Sequence, residues 1–227
     1  MVTPSLLLLV ADGRFPAGAH AHSGGLEAAV AAGRVTDLAS LEAFLTGRLA
    51  TAGLVGAAFA AAAHRAAGSS ARADVLARLD AELDARTAAP ALRTVSRRQG
   101  RALLRAGRSI WPVAPFGDLP ANTAGPHQPL VLGLLCAAAG LSRVETATVA
   151  AYGTVTGAAS AGVRLLGLDP YRVQALLVGL ADACDGTAAD AARAADDPPE
   201  RLPAAAAPLA DIHAEVHATW EVRLFAS

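Results

Sequence analysis

Lysine is missing from this chain of 227 residues, cysteine occurs twice, and aromatic residues make up only 4% of it. Two isolated cysteines, Cys136 and Cys184, do not make a disulfide framework. Each sits in an apolar helical stretch, where a thiol behaves as a small core hydrophobe. A reducing cytoplasm is therefore the expected compartment. Few aromatics also argue against a sheet-rich fold. Neither sign of charge is in excess: 19 basic against 20 acidic residues leave −1. That balance excludes a globally basic nucleic-acid binder and an acidic disordered chain. Long apolar runs are lacking too, since a membrane span needs about 20 consecutive apolar residues. Leu49 to Ala63 is uncharged but only 15 residues long and mostly Ala. Thr146 to Val163 is studded with Thr, Ser and Gly. Both read as buried helices of a soluble bundle, and no membrane is expected. The opening MVTPSLLLLVADGR lacks the basic start and the cleavage site of a signal peptide.

What the chain has in abundance is alanine, 59 residues or about a quarter, and alanine is the best helix former. Leu38, Leu41, Leu45, Ala52, Val55 and Phe59 follow a 3.6-residue period behind a Thr36 or Asp37 cap. A helix over 71–86 follows Ser70 as cap, with Val75, Leu76, Leu79 and Leu83 on one face and Asp80 and Asp84 among the polar residues covering the rest. Pro90 opens a helix to about Ile110. Ser142 and Glu145 have capping-box spacing for a helix to about Arg164. Asp169-Pro170 starts a helix through the early 190s, and Pro208 opens the last one. Residues 111–129, with five prolines, and residues 196–208 read as loops. These signals predict an all-α, single-domain bundle of roughly eight to ten helices covering residues 1–227.

Three features could carry function. The first is the polar, Gly-rich segment from Asp12 to Glu27. Its Ala21-His22-Ser23-Gly24-Gly25 is one residue from the G-x-S-x-G elbow of serine hydrolases, with Ser23 as nucleophile, but no strand template precedes it. His20 with His22, and His213 with His217, could be metal-ligand pairs of a nickel-binding metallochaperone. Ala214 breaks the zinc-protease motif, and no carboxylate or thiolate evidently completes either site. The structural alternative has His22 or Ser23 capping a helix whose first turn carries Glu27. The second feature is a run from Thr87 to Gly117 with six Arg and no acid. Arg97, Arg101, Arg105 and Arg108 form a basic stripe there, open to an acidic partner or to acids of this chain, with Asp182, Asp185, Asp190, Asp196, Asp197 and Glu200 as candidates. No aromatic interleaves it, so nucleic acid is disfavoured. The third feature is the tail, where Leu224 and Phe225 need burial in this chain or in a partner.

Four blocks together resemble the UreF family of urease accessory proteins along nearly the whole chain. They are Asp12-x-x-Phe15-Pro16-x-Gly18 with His22-Ser23-Gly24-Gly25-Leu26-Glu27; Ser96-x-x-Gln99-Gly100-x-x-Leu103-Leu104; His127-x-Pro129-x-x-x-Gly133; and His217 six residues before Arg223-Leu224-Phe225, with Ser227 after. Family members usually carry an aromatic where His20 stands, Glu where Ala218 stands, and Gln or Tyr near Trp220. The resemblance implies a non-catalytic, all-α, dimer-forming protein without a cofactor. It would bind UreD (also called UreH), recruit the GTPase UreG, and support nickel insertion into apo-urease. It also implies that Arg223, Leu224 and Phe225 face UreD. The surface around His22, Ser23, Glu27, Ser96, Gln99 and Gly100 would then face UreG or a second copy. No nickel ligand of the family transfers onto a single residue.

Overall fold

The computed structural model describes residues 4–16 and 18–226. Ser227, quoted in the C-terminal block, lies outside them. Eleven α-helical segments follow one another: α1 (Pro4–Ala11), α2 (Leu26–Ala31), α3 (Leu38–Arg48), α4 (Leu54–Ala66), α5 (Arg72–Arg86), α6 (Pro90–Ile110), α7 (Gln128–Ala138), α8 (Arg143–Leu166), α9 (Pro170–Gly179), α10 (Ala181–Ala194) and α11 (Pro208–Ala218). A π-helical turn at Leu49–Gly53 fuses α3 and α4 into one rod, so the described residues hold ten helices and no strand. The all-α bundle expected from composition is what forms.

Alanine explains how the bundle closes. In α4 Ala57, Ala58, Phe59, Ala60, Ala61 and Ala63 have no solvent exposure at all. Helices α7, α8 and α10 pack around that segment. Small side chains let the backbones approach, and Gly133 on α7 takes this furthest. A Cβ there would collide with Ala60 O and lie 2.7 Å from both Ala63 Cβ and His64 N. Leu38–Ala66 is long and apolar enough to cross a membrane by length and composition, and its α4 half is the centre of this packing. Helix α8 serves two hydrophobic clusters. Ala147 and Val149 join the one around α4, whereas Ala151, Val155, Ala158 and Ala159 join a second with Leu26, Leu41, Leu45 and Val173.

Several helix ends obey their local signals. Asp37, rather than Thr36, caps α3, accepting from Ser40 N at 2.8 Å while Ser40 Oγ accepts from Asp37 N at 3.0 Å. Ser142 Oγ accepts from Glu145 N at 3.2 Å, and Glu145 Oε2 accepts from Ser142 N at 2.6 Å. Ser142→Ala removes half of that box and is expected to lower stability by about 1 kcal/mol, read from the urea midpoint at unchanged slope.

Five expectations are corrected. Ala52 is exposed and Gly53 is buried instead, because the π turn inserts one residue and rotates the buried face past Ala52. Ser70 is not a cap: α5 starts after Ala71, whose N–H is taken by Ser69 Oγ. Asp80 does not cover the outside of α5 but is buried, for a reason given below. The helix expected through the early 190s is two, α9 and α10, parted at Gly179–Leu180, where glycine weakens the helix. The proline-rich loop ends earlier than its last proline, since Pro129 sits in the first turn of α7.

Candidate functional site

Gly24 and Gly25 turn the chain into α2 with φ of +65° and +91°, the left-handed region that favours glycine. Ser23 is buried beneath this turn, and its Oγ accepts from Glu27 N at 3.2 Å. The N-cap position of α2 is nevertheless Gly25, with no side-chain cap, so the reading of Ser23 or His22 as the cap is corrected: Ser23, two residues earlier, only lends the first turn an acceptor. It follows a 3-10 turn at Ala19–Ala21 rather than a strand, so the elbow geometry that a hydrolase requires is absent at Ser23. Gly24 also meets Arg48 closely: a Cβ would lie 2.8 Å from the guanidinium carbon. Arg48 donates to Gly24 O at 2.6 Å and to Thr154 O at 3.4 Å, and burial lowers its pKa to about 10.

The glycine turn sets Glu27 against the C-terminal tail. Glu27 Oε1 accepts from Leu224 N at 2.7 Å, while Oε2 accepts from Phe225 N at 3.0 Å and from His217 Nε2 at 2.9 Å. Burial alone would push this carboxyl up, but the Leu224 N–H, the imidazole and the Phe225 N–H together hold it below its ordinary value. Next to this clasp, Ala226 N donates to Ala21 O at 2.7 Å. The Phe225 ring is buried in the second cluster, with the Arg164 guanidinium 4.3 Å over its face. Arg164 also donates to His20 O at 3.2 Å. His217 is buried and meets Trp220 at 4.7 Å between ring centroids. The tail thus divides in two: Phe225 is core of this chain, while Leu224 remains 60% exposed and Arg223 is exposed.

The central block divides as well. Gln99 lies on the side of α6 that faces the tail, and it shares a cavity of about 330 Å³ with His22 and Arg223. Gly100 lies under the proline-rich loop, where a Cβ would strike Pro126 O and sit 3.0 Å from Gln128 N. Ser96 joins a polar network there. Its Oγ lies 2.9 Å from His127 Nδ1, and His127 Nε2 lies 2.9 Å from Asp84 Oδ1. Arg97, also buried, reaches Asp80 Oδ2 at 2.9 Å, Asp84 Oδ2 at 2.7 Å and Gly125 O at 2.7 Å. Burial first, and then the Arg97 charge, push the His127 imidazole below its usual value. A neutral ring donates from Nε2 to Asp84 and accepts the Ser96 hydroxyl at Nδ1.

Hydroxyl, imidazole and carboxylate in this order resemble a catalytic relay. Ser96, however, lies inside α6, where neighbouring backbone N–H groups are taken up by the helix and cannot form an oxyanion hole, and Asp84 is shared with Arg97. The network ties the long loop to α5 and α6. It also corrects the reading of the basic stripe. Arg97 pairs with Asp80 and Asp84, not with the acids of residues 182–200, of which Asp190, Asp196 and Glu200 hold Arg193, Arg143 and Arg78.

The His pairs take different positions. His217 is used by Glu27, while burial, then Arg98 and His20, lower His22 to about 4. Among the described residues no three His, Cys, Asp or Glu side chains converge on a metal site. Burial pushes the Cys136 thiol up to about 12. Sequence reasoning missed Arg48, Arg164 and the buried acid Asp80. Asp80 had a usable signal, since it lies one residue from Leu79 and four from Leu76 on the apolar side of α5.

The UreF family model matches residues 35–181. A urease accessory protein UreF of Mycobacterium sp. (strain JLS) is 46% identical over 227 residues, covering 100% of both chains. That of Mycolicibacterium vanbaalenii is 43% identical over the same span, again 100% of each. The UreF of Mycobacterium tuberculosis (strain H37Rv) is 46% identical over 191 residues, 84% of this chain and 86% of its own.

Proposed function

The chain belongs to the UreF family of urease accessory proteins, and on that premise we propose that it acts by binding rather than by catalysis. It would work in the cytoplasm as one domain spanning 1–227 and as a dimer within a larger assembly. There it binds UreD/UreH and recruits the GTPase UreG to apo-urease, so that nickel, the cargo of the process, is inserted. The observation that supports this reading best is the clasp of Glu27 on the tail. It fixes an otherwise fraying segment so that Arg223 and Leu224 point outward at a set position. A prearranged surface binds without the entropic cost of ordering it. Buried Ser23, Gly100 and Phe225 hold the surface in place. Arg223, Leu224, Gln99 and His22 offer side chains at it, with Glu27 and Ser96 behind them.

The test is co-purification with UreD. Deleting 223–227 would remove a core residue, Phe225, so the exposed position is the cleaner probe. Leu224→Glu is expected to leave the helical circular dichroism unchanged and to abolish UreD capture. Undiminished capture by a folded Leu224→Glu variant would refute the tail as the UreD-facing element.

A further inference from the structure

The cavity between the N-terminal turn, α6, α8, α11 and the tail, about 330 Å³ in volume, has a one-sided lining. Three guanidinium groups line it, those of Arg48, Arg98 and Arg223, together with His22, His217 and the amide of Gln99. Among the described residues no Asp or Glu lines it. Seven arginines elsewhere hold a carboxylate, the buried Arg97 among them. Among the described residues Arg48, Arg98 and Arg223 hold none. Glu27, beside the lining residue His217, is not available to them, because both its oxygens are taken by His217 and the tail.

We infer that this cavity is an anion site, built to take one phosphate-type oxyanion between Arg48, Arg98 and Arg223. Like charges gathered around one open space raise its potential, and an entering anion relieves it. The guanidinium fork suits the paired oxygens of phosphate, and an ionised acceptor makes a stronger bond than a neutral one. Gln99 adds a neutral donor on the α6 side. Arg48 is fixed by Gly24 O and Thr154 O and forms the floor, whereas Arg98 and Arg223 are exposed at the rim and free to close on the ion. The volume is that of a small-molecule site and exceeds what one water needs. The inference is independent of the partners proposed above, because it is tested on the isolated chain.

The experiment is calorimetric titration of the full chain with orthophosphate, at constant ionic strength set with chloride. One saturable equivalent is expected. The double variant Arg98→Gln/Arg223→Gln, two side chains that make no hydrogen bond among the described residues, is expected to weaken it at least about 10-fold with unchanged circular dichroism. Gln99→Glu, which brings a negative charge into the lining, should do the same, and it serves if the double variant does not fold. Arg108→Gln, outside the cavity, should bind as wild type does. Competition by guanosine monophosphate would assign the site to phosphate monoesters, and failure to compete would assign it to the free ion; either result supports the oxyanion site. No saturable heat in wild type, equal binding by the folded variants, or acetate binding as tightly as phosphate would overturn it.

Discussion

Replacing Glu27 with Ala is expected to release the tail from the bundle. One carboxylate closes three contacts there, two to backbone N–H groups and one to a buried imidazole, and its side chain is only 11% exposed. Hydrogen bonds to charged groups are stronger than neutral ones, and removing the acceptor leaves the His217 N–H and the two tail amides without their partner. A loss of about 3 kcal/mol in unfolding free energy follows, readable by urea denaturation. Cleavage between Thr219 and Ala226 by a non-specific protease should rise, since only the buried Phe225 ring and the Ala226 to Ala21 hydrogen bond would then hold the segment. Glu27→Gln should fall between, because an amide oxygen still accepts while the charge is gone. An equally protected tail in Glu27→Ala would show that Phe225 burial alone retains it.

The same group sets a pH dependence. Glu27 titrates in the folded chain below the ordinary 4.5 of a free glutamate. Its stabilisation is therefore complete above about 4.5 and is lost as pH falls through the lower folded value. Trp220, tilted against His217 at 4.7 Å between ring centroids, is a local reporter. A change in its fluorescence is expected as pH falls through that lower value, and the change is expected to be absent in Glu27→Gln. In a Trp111→Phe background the signal belongs to Trp220 alone.

The second large effect is expected at Gly133. Gly133→Ala adds one methyl where α7 lies backbone to backbone on α4, with Ala60 O, Ala63 Cβ and His64 N in its way. None of these is the end of a flexible side chain, so the helices themselves must part. Overpacking of this kind costs about 3 kcal/mol, at the upper end of its range because the obstacle is backbone. Gly153→Ala on α8 is the control, since a Cβ there meets nothing within 4 Å. It should stabilise by up to about 1 kcal/mol through helix propensity alone. Thermal melts of the two variants should therefore move in opposite directions.

What could be read in the sequence is what local chemistry decides. Pro90, Pro170 and Pro208 open helices because a ring with fixed φ suits a first turn, and Ser142 with Glu145 closes its own box. The 3.6-residue period of apolar positions places Leu76, Leu79 and Leu83 correctly inside. The π turn has no such local marker, since an inserted residue is paid for by packing elsewhere. Asp80 was misplaced because its reason for burial is Arg97, 17 residues on and on another helix. The candidate site was legible in its parts, the Gly turn and the apolar tail, but not in their meeting. Glu27 looks like an ordinary first-turn acid until the fold sets it beside Leu224 and Phe225.

That meeting spans nearly the whole polypeptide: the hydrogen bonds from Glu27 to the tail join residues 197 and 198 positions apart. Contacts of such separation form late, because the intervening chain must first be ordered. During synthesis the carboxylate waits until the residues between it and Leu224, 197 positions on, have been made. The surface bearing Arg223 and Leu224 thus forms only after that intervening chain, and a half-finished chain does not display it.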